Sequence, residues 1–169
     1  MGFSGAHRFD RPLTQVAATF LDPDAHVGRH ELAGDRDIQI LAVERGAGTL
    51  DLTTVRTVQG EVPAIASKII KATNTITTTD RWVFADGTTL HGTATIEASS
   101  VPGTASIAAA VTADGPDACT YAIDLALHLT IPLIGDRFVK LLRPKVMEII
   151  DAEFAAWDAW MAHADTAAS

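Results

Sequence analysis

Residues with chemical reach are sparse in this chain: one cysteine, one tyrosine and six histidines, together with a few charged side chains at positions where an apolar one is expected. Glu153 is the oddest of these. At about 100° per residue it falls near the middle of a helical stripe that also holds Leu142, Ile149 and Trp160. An ionised carboxylate facing an apolar space is costly, so it must be paired, protonated or hydrated. Strand alternation places Arg56 on the side of Leu50 and Leu52, Asp80 with Ile76, Trp82 and Phe84, and Tyr121 with Ile123 and Leu125. Arg56, Asp80, Tyr121 and Glu153 are therefore expected to converge as the few polar groups of a mostly apolar pocket, where acid/base chemistry comes within reach. The alternative is that Pro144 kinks the helix and turns Glu153 to the rim, into an ordinary salt bridge.

The remaining motifs are weaker. His26 and His30 stand four apart, near Asp22, Asp24 and Glu31, a spacing that brings two imidazoles to one metal. Gly28 between them weakens a helix, no HExxH pattern accompanies them, and a zinc site takes at least about three protein ligands. They read as two exposed histidines, with no metal and no cofactor expected. His91 and His128 fall on outward faces. Gly46-Ala47-Gly48-Thr49 contains G-x-G without a following helix, so it reads as a hairpin turn and not a phosphate cradle. Gly2-Phe3-Ser4-Gly5 lacks the spacing of a nucleophile elbow. Cys119, with no basic neighbour in sequence to lower its pKa, reads as a buried structural thiol.

A length of 169 residues makes one domain, 1–169, and 47% hydrophobic residues exclude a disordered chain. The apolar content is built from small side chains: 29 alanines against six Phe, three Trp and one Tyr. A formal charge of −8 without a basic cluster argues against nucleic acid or an anionic lipid surface as partner. No apolar run is long enough for membrane insertion, and the first residues do not form a secretory signal. A single cysteine forms no internal disulfide and fits a reducing cytoplasm.

Seventeen of the twenty threonines fall between Thr49 and Thr130, and β-branched residues at that density mark strand. Alternation predicts strands at 38–44, 50–58, 75–85, 89–98, 104–112 and 119–130, joined by short Gly- and Pro-containing turns, hence an antiparallel meander. A first strand is expected at 5–10, short helices at 12–20 and 23–32, an amphipathic helix at 61–71, and a long helix from Asp136 to about His163 with Gly135 or Asp136 as cap. Residues 164–169 read as a frayed tail. The dry face of the sheet carries Leu90, Gly92, Ala94, Ile96, Ala98, Ala105, Ile107, Ala109, Tyr121, Ile123 and Leu125. Phe138, Leu142, Val146, Ile149, Trp157 and Trp160 form the helical stripe that covers it. Small residues opposite a helix that is bulky mainly at its ends raise the expectation of an unfilled cavity. Its candidate lining is Arg56, Asp80, Trp82, Phe84, Leu90, Ile96, Ile107, Tyr121, Ile123, Leu125, Leu142, Ile149, Glu153 and Trp157.

Strand, two short helices, six-strand meander and long helix is the order of the START-like, or birch-pollen-allergen-like, helix-grip fold, an α+β class in which a curved antiparallel sheet of about seven strands wraps a C-terminal helix. The junction Leu129-Thr130-Ile131-Pro132-Leu133-Ile134-Gly135-Asp136-Arg137-Phe138 resembles the lead into the last helix in a family of uncharacterised bacterial START-like proteins, domains of unknown function. Asp22-Pro23-Asp24, Trp82 and Glu153-Phe154-Ala155-Ala156-Trp157 resemble that family too, whereas Val139 stands where an acidic residue is expected. The resemblance implies a hydrophobic small molecule, such as a lipid, polyketide or isoprenoid, held between sheet and helix. Some members of the superfamily act as polyketide cyclases or as subunits of hydroxylating enzymes, so a cyclase or dehydratase using the pocket carboxylates is the alternative, and a protein-interaction module with a collapsed core is the third. The sequence leaves the oligomeric state open.

Overall fold

A computed structural model describes residues 2–131 and 135–169. The elements run β1 (Gly2–Phe9), α1 (Leu13–Phe20), α2 (Pro23–Leu32), β2 (Arg36–Gly46), β3 (Thr49–Gln59), β4 (Thr73–Val83), β5 (Thr89–Ala98), β6 (Gly103–Ala113), β7 (Cys119–Leu129) and α3 (Gly135–Ala168). All seven strands form one curved antiparallel sheet in the order β1-β7-β6-β5-β4-β3-β2. The helix-grip architecture expected from the element order is the observed one.

Alternation sets the faces as expected. Tyr121, Ile123 and Leu125 are buried, while Ala122 and Asp124 between them are exposed. In β5, Leu90 and Gly92 are buried between exposed His91 and Thr93. Pairing Asp80 with Ala94, Ala94 with Ile107 and Ile107 with Leu125 carries one inner row across four strands. Cys119 is fully buried at the start of β7. Among the described residues no helix is long and apolar enough to cross a membrane.

Three local expectations are corrected. Residues 61–71 form a succession of turns instead of a helix. The hydrogen bonds Ala66 N to Pro63 O, Ser67 N to Ala64 O and Ile69 N to Ala66 O span three residues, Ile70 N to Ala66 O adds a single helical turn, and the Ser67 hydroxyl competes for Ala64 O. The last helix does not stop near His163: α3 continues to Ala168, supported by alanine-rich sequence and an Arg11–Asp165 ion pair at 2.7 Å. The covering row of α3 is Phe138, Leu142, Val146, Ile150, Phe154, Trp157 and Met161, not the stripe through Ile149. A row stepping mostly by four residues winds slowly around the helix, so Ile149, about 100° from Ile150, comes out 55% exposed. The expected cap at Gly135 or Asp136 coincides with the first helical residues, and Pro132, Leu133 and Ile134 of the junction lie outside the described residues.

The position of α3 creates the space that matters for function. The helix packs on β1, β7 and α2, and it approaches β1 so closely that a side chain at Gly5 would come within 2.6 Å of Ile150. The helix therefore leans on one side of the sheet, and beyond it the inner face around Ala94, Ile96 and Ile107 is left only partly buried.

Gly28 of α2 lies directly against the Trp160 ring of α3, where any side chain would collide with the indole. Alanine is worth up to about 1 kcal/mol more than glycine inside a free helix, so the packing predicts the opposite sign. Gly28→Ala lowers stability by about 1–3 kcal/mol, the usual cost of overpacking, read as a reduced urea midpoint. A gain in stability would show that the α2–α3 contact is looser than described.

Candidate functional site

The region left partly buried is a cavity of about 110 Å³ between the inner face of the sheet and the α2–α3 pair. Ile96, Ile107, Ile123 and Leu125 make its apolar floor, and Gly92, Ala94 and Ala109 leave the room. Gly92 also lets the Trp82 indole lie flat across β5, since a Cβ there would strike the ring. Ile149, outside the covering row, stands at the mouth beside Ile150. Arg56, Asp80, Trp82, Tyr121 and Glu153 all reach the cavity wall, joined by Arg29, His30 and Thr78.

Four expected lining residues do not reach it. Leu90 and Leu142 are core residues away from the cavity. Phe84 lies just past the end of β4, partly buried against the core. Trp157 is wholly buried, its ring 4.0 Å from that of Phe20 between centroids and 4.5 Å below the Arg29 guanidinium. Sharing a dry face is necessary for lining a cavity but not sufficient, because the helix closes over part of that face.

The charges are arranged in two clusters. In the first, Arg29 Nη1 donates to Glu153 Oε2 at 2.5 Å and Trp157 Nε1 donates to Glu153 Oε1 at 3.0 Å. Burial by itself would raise the Glu153 carboxyl, but the Arg29 charge, His30 and these two hydrogen bonds hold it below the usual carboxylate range. Glu153 thus combines both expectations for it, lining the cavity while forming a salt bridge with its side chain still 26% exposed. Its partner was not legible in advance: Arg29 lies 124 positions away, on a helix whose histidines drew attention instead.

The second cluster is built where α2 ends. Gly34 adopts a φ of +91°, which turns the chain so that Asp35 sits under the helix. Asp35 Oδ2 accepts from His30 Nδ1 at 3.1 Å and from Arg56 Nε at 3.0 Å, while Arg56 Nη1 donates to Thr78 Oγ1 at 2.9 Å. Burial would raise Asp35, but the hydrogen bond from His30 and the Arg56 charge hold it low. His30 is pushed down to about 4, chiefly by burial and then by Arg29.

The two histidines are buried, correcting the expectation that they are exposed. His26 Nε2 donates to Phe20 O at 2.8 Å, and its ring packs edge-on to Trp157. Burial, followed by the Arg29 charge, lowers its pKa to about 3. Both rings are thus neutral in the native state and take a proton only on unfolding. Their stabilising contribution is complete above the unfolded histidine pKa, about 6.5, and is lost as pH falls toward the folded values. The urea midpoint is expected to drop steadily from pH 6.5 to pH 4, each histidine contributing about 1.4 kcal/mol per pH unit. His26→Gln, which keeps the donor to Phe20 O without a titrating ring, should make that decline shallower, and an unchanged slope would count against this account.

Asp80 differs from every other charge in the site. It is 6% exposed, lines the cavity, and among the described residues makes no ion pair, the Trp82 indole N–H beside it being the hydrogen-bond donor that favours its charged form. Burial raises its pKa to about 6, against an opposing pull from Arg29. Tyr121, also buried, is pushed well above its ordinary value by burial and then by Glu153, so its hydroxyl stays protonated. The site therefore offers one free carboxyl near neutral pH, two engaged guanidiniums and an apolar floor. No cluster suited to hold a metal occurs among the described residues.

A model of a family described as a protein of unknown function (DUF2505) matches residues 4–161. No curated protein matches the sequence. Among solved structures, the Zhui aromatase/cyclase of Streptomyces sp. R1128 is similar over 93% of this chain and 90% of its own, at 13% identity and a TM-score of 0.63. Norcoclaurine synthase of Thalictrum flavum, a point mutant in complex with a transition-state analogue, aligns over 96% of this chain and 95% of its own, at 16% identity and 0.59. A START superfamily protein of Mycobacterium smegmatis aligns over 94% of this chain and 97% of its own, at 13% identity and 0.56. At such identities the likeness establishes the START-type helix-grip fold alone.

Proposed function

The chain belongs to the DUF2505 family of unknown function, so its activity has to be read from its own cavity, and we propose that this cavity binds a compact, mostly apolar small molecule with one polar end. The observation that carries the reading is the make-up of the wall: Ile96, Ile107, Ile123 and Leu125 from β5, β6 and β7, and the charged Asp80, Arg29 and Glu153 from β4, α2 and α3. A dry engineered cavity of about 150 Å³ holds a benzene molecule. The space of about 110 Å³ between sheet and helix is of that order, so it suits a single ring or short branched chain. A lipid, polyketide or isoprenoid tail needs the mouth at Ile149 to open. The same volume equals that of about four waters, so the absence of any displaceable ligand would favour the collapsed-core interaction module. The proposed setting is the cytoplasm, where a lone buried thiol stays reduced, and a net charge of −8 disfavours nucleic acid as partner.

Organic extraction of the purified protein and titration with an apolar fluorophore test this reading. Saturable probe binding displaced by small aromatic compounds is expected. An empty extract with no displaceable binding would overturn it.

A second reading is catalysis of the cyclase or dehydratase kind. It is favoured by one observation, a cavity carboxyl whose pKa of about 6 suits general acid/base work, and by the fact that the aromatase/cyclase and norcoclaurine synthase are enzymes on this fold. Under that reading, removing the Asp80 or Glu153 charge abolishes turnover while affinity is nearly kept, and an equal loss of binding assigns them an orienting role.

A further inference from the structure

We propose that the polar end of the ligand is a basic nitrogen, bound as an ammonium ion by Asp80, so that the cavity takes small aryl- or alkylamines. The inference rests on the ligand-binding reading and narrows it to one chemical class.

Charge balance argues first. Facing Asp80 are Arg29 and His30 from α2, Arg56 from β3, Tyr121 from β7 and Glu153 from α3. Arg29 is committed to Glu153 and Arg56 to Asp35 and Thr78. His30 and Tyr121 are neutral near pH 7. The two guanidiniums are therefore each matched by a carboxylate, and Asp80 is the charge left over, one negative in excess. A buried carboxylate without a partner is avoided in proteins unless something arrives to pair with it.

The walls around that carboxyl argue second. Trp82, on the same face of β4 two residues on, and Tyr121 both border the cavity, and aromatic faces attract cations when water is excluded. The buried Trp82 indole N–H is turned toward the Asp80 carboxyl and favours its ionised form, the form that holds an ammonium. A carboxylate ligand would face the opposite situation, since both guanidiniums already have acidic partners and the free group would repel it.

The pH dependence follows from the same groups. Asp80 must be ionised to hold an ammonium, and with its pKa at about 6 amine affinity is expected to rise about tenfold from pH 5 to pH 7. Glu153, Asp35 and the two arginines keep their charges over that range, and His30 stays neutral. Asp80 thus dominates the profile.

Calorimetric titration with benzylamine, benzyl alcohol and benzoate separates the possibilities, using the intact protein and Asp80→Asn. Benzylamine is expected to bind at least about tenfold tighter than benzyl alcohol at pH 7, and that advantage should vanish in Asp80→Asn; a tenfold factor is the size of one good charge-assisted contact. Equal or tighter binding of the alcohol or benzoate overturns the amine assignment and leaves the ligand-binding reading standing. Failure of all three probes, together with an empty organic extract, overturns both. The pH profile of benzylamine binding by the unaltered protein gives an independent result, and a flat profile from pH 5 to pH 7 also overturns the assignment.

Discussion

Arg29→Met is expected to lower the unfolding free energy by about 3 kcal/mol, the low end of the cost of stripping one partner from a buried ion pair. The substitution keeps an unbranched chain over Trp157 but leaves Glu153 facing the cavity without the 2.5 Å contact that holds it. The value falls at the low end because Glu153 retains 26% of its side-chain exposure and can draw water through the mouth. In the single variant Glu153 loses its strongest stabilising charge, so its pKa rises and the deficit shrinks as the solution is acidified and the carboxyl takes a proton. The double variant Arg29→Met/Glu153→Leu should recover most of the loss, because replacing both members of a buried pair is close to neutral. Urea unfolding of the single and double variants measures the coupling directly. A single variant as stable as the unaltered protein would show that the pair contributes nothing to the fold.

Asp80→Asn is expected to do the reverse, stabilising the protein at pH 7 by about 2 kcal/mol. The free carboxyl has a folded pKa of about 6 against 3.8 for the ordinary group, a difference worth about 3 kcal/mol at neutral pH, from which a buried amide without partners subtracts about 1. The sign follows from proton binding. A raised carboxyl pKa means that the folded state holds the proton more tightly, so stability is lost as pH climbs from about 4 through 6. The gain from asparagine is therefore present above pH 6 and absent below pH 4. Denaturation at pH 7 and pH 4 checks both statements, and a variant less stable at pH 7 would mean that Asp80 is paired in solution. A residue that weakens the fold at the pH where it is ionised is maintained for something other than stability, in keeping with its proposed role toward a cationic ligand.

Arg29 and Asp80 also mark the boundary of what the chain reveals before it folds. Asp80 was legible because period-2 alternation along β4 is a local property: a polar residue between Thr78 and Trp82 on the dry face stands out whatever the strand pairs with. Tyr121 and Arg56 were legible for the same reason. Arg29 was not, since α2 is short, has buried charged residues on the face it turns to α3, and carries a pair of histidines at metal-like spacing. The only forewarning was indirect: Glu153 had to be paired, protonated or hydrated, and the one cation expected near it was Arg56, which pairs with Asp35 instead. Ile149 was misplaced because a 3.6-residue stripe describes a straight seam, whereas the buried row of α3 steps by four and drifts around the helix. Phe84, Leu90, Leu142 and Trp157 share the dry face but are covered, and which part of a face is covered depends on where the helix rests.

The sequence by itself determined the order of the elements, the inner and outer faces of the strands, the scarcity of bulk on the inner face and the presence of misplaced charges there. These properties are encoded in spacings of two to four residues, which each segment carries independently of the rest. Only the tertiary structure decided where the cavity lies and which charges in it are satisfied. That outcome depends on close approaches between distant segments, Gly5 against Ile150 and Gly28 against Trp160, which tilt α3 toward β1 and bring α2 over the corner of the sheet. Once those contacts are made, Arg29 reaches Glu153, Asp35 reaches Arg56, and Asp80 is left alone at the edge of an apolar space.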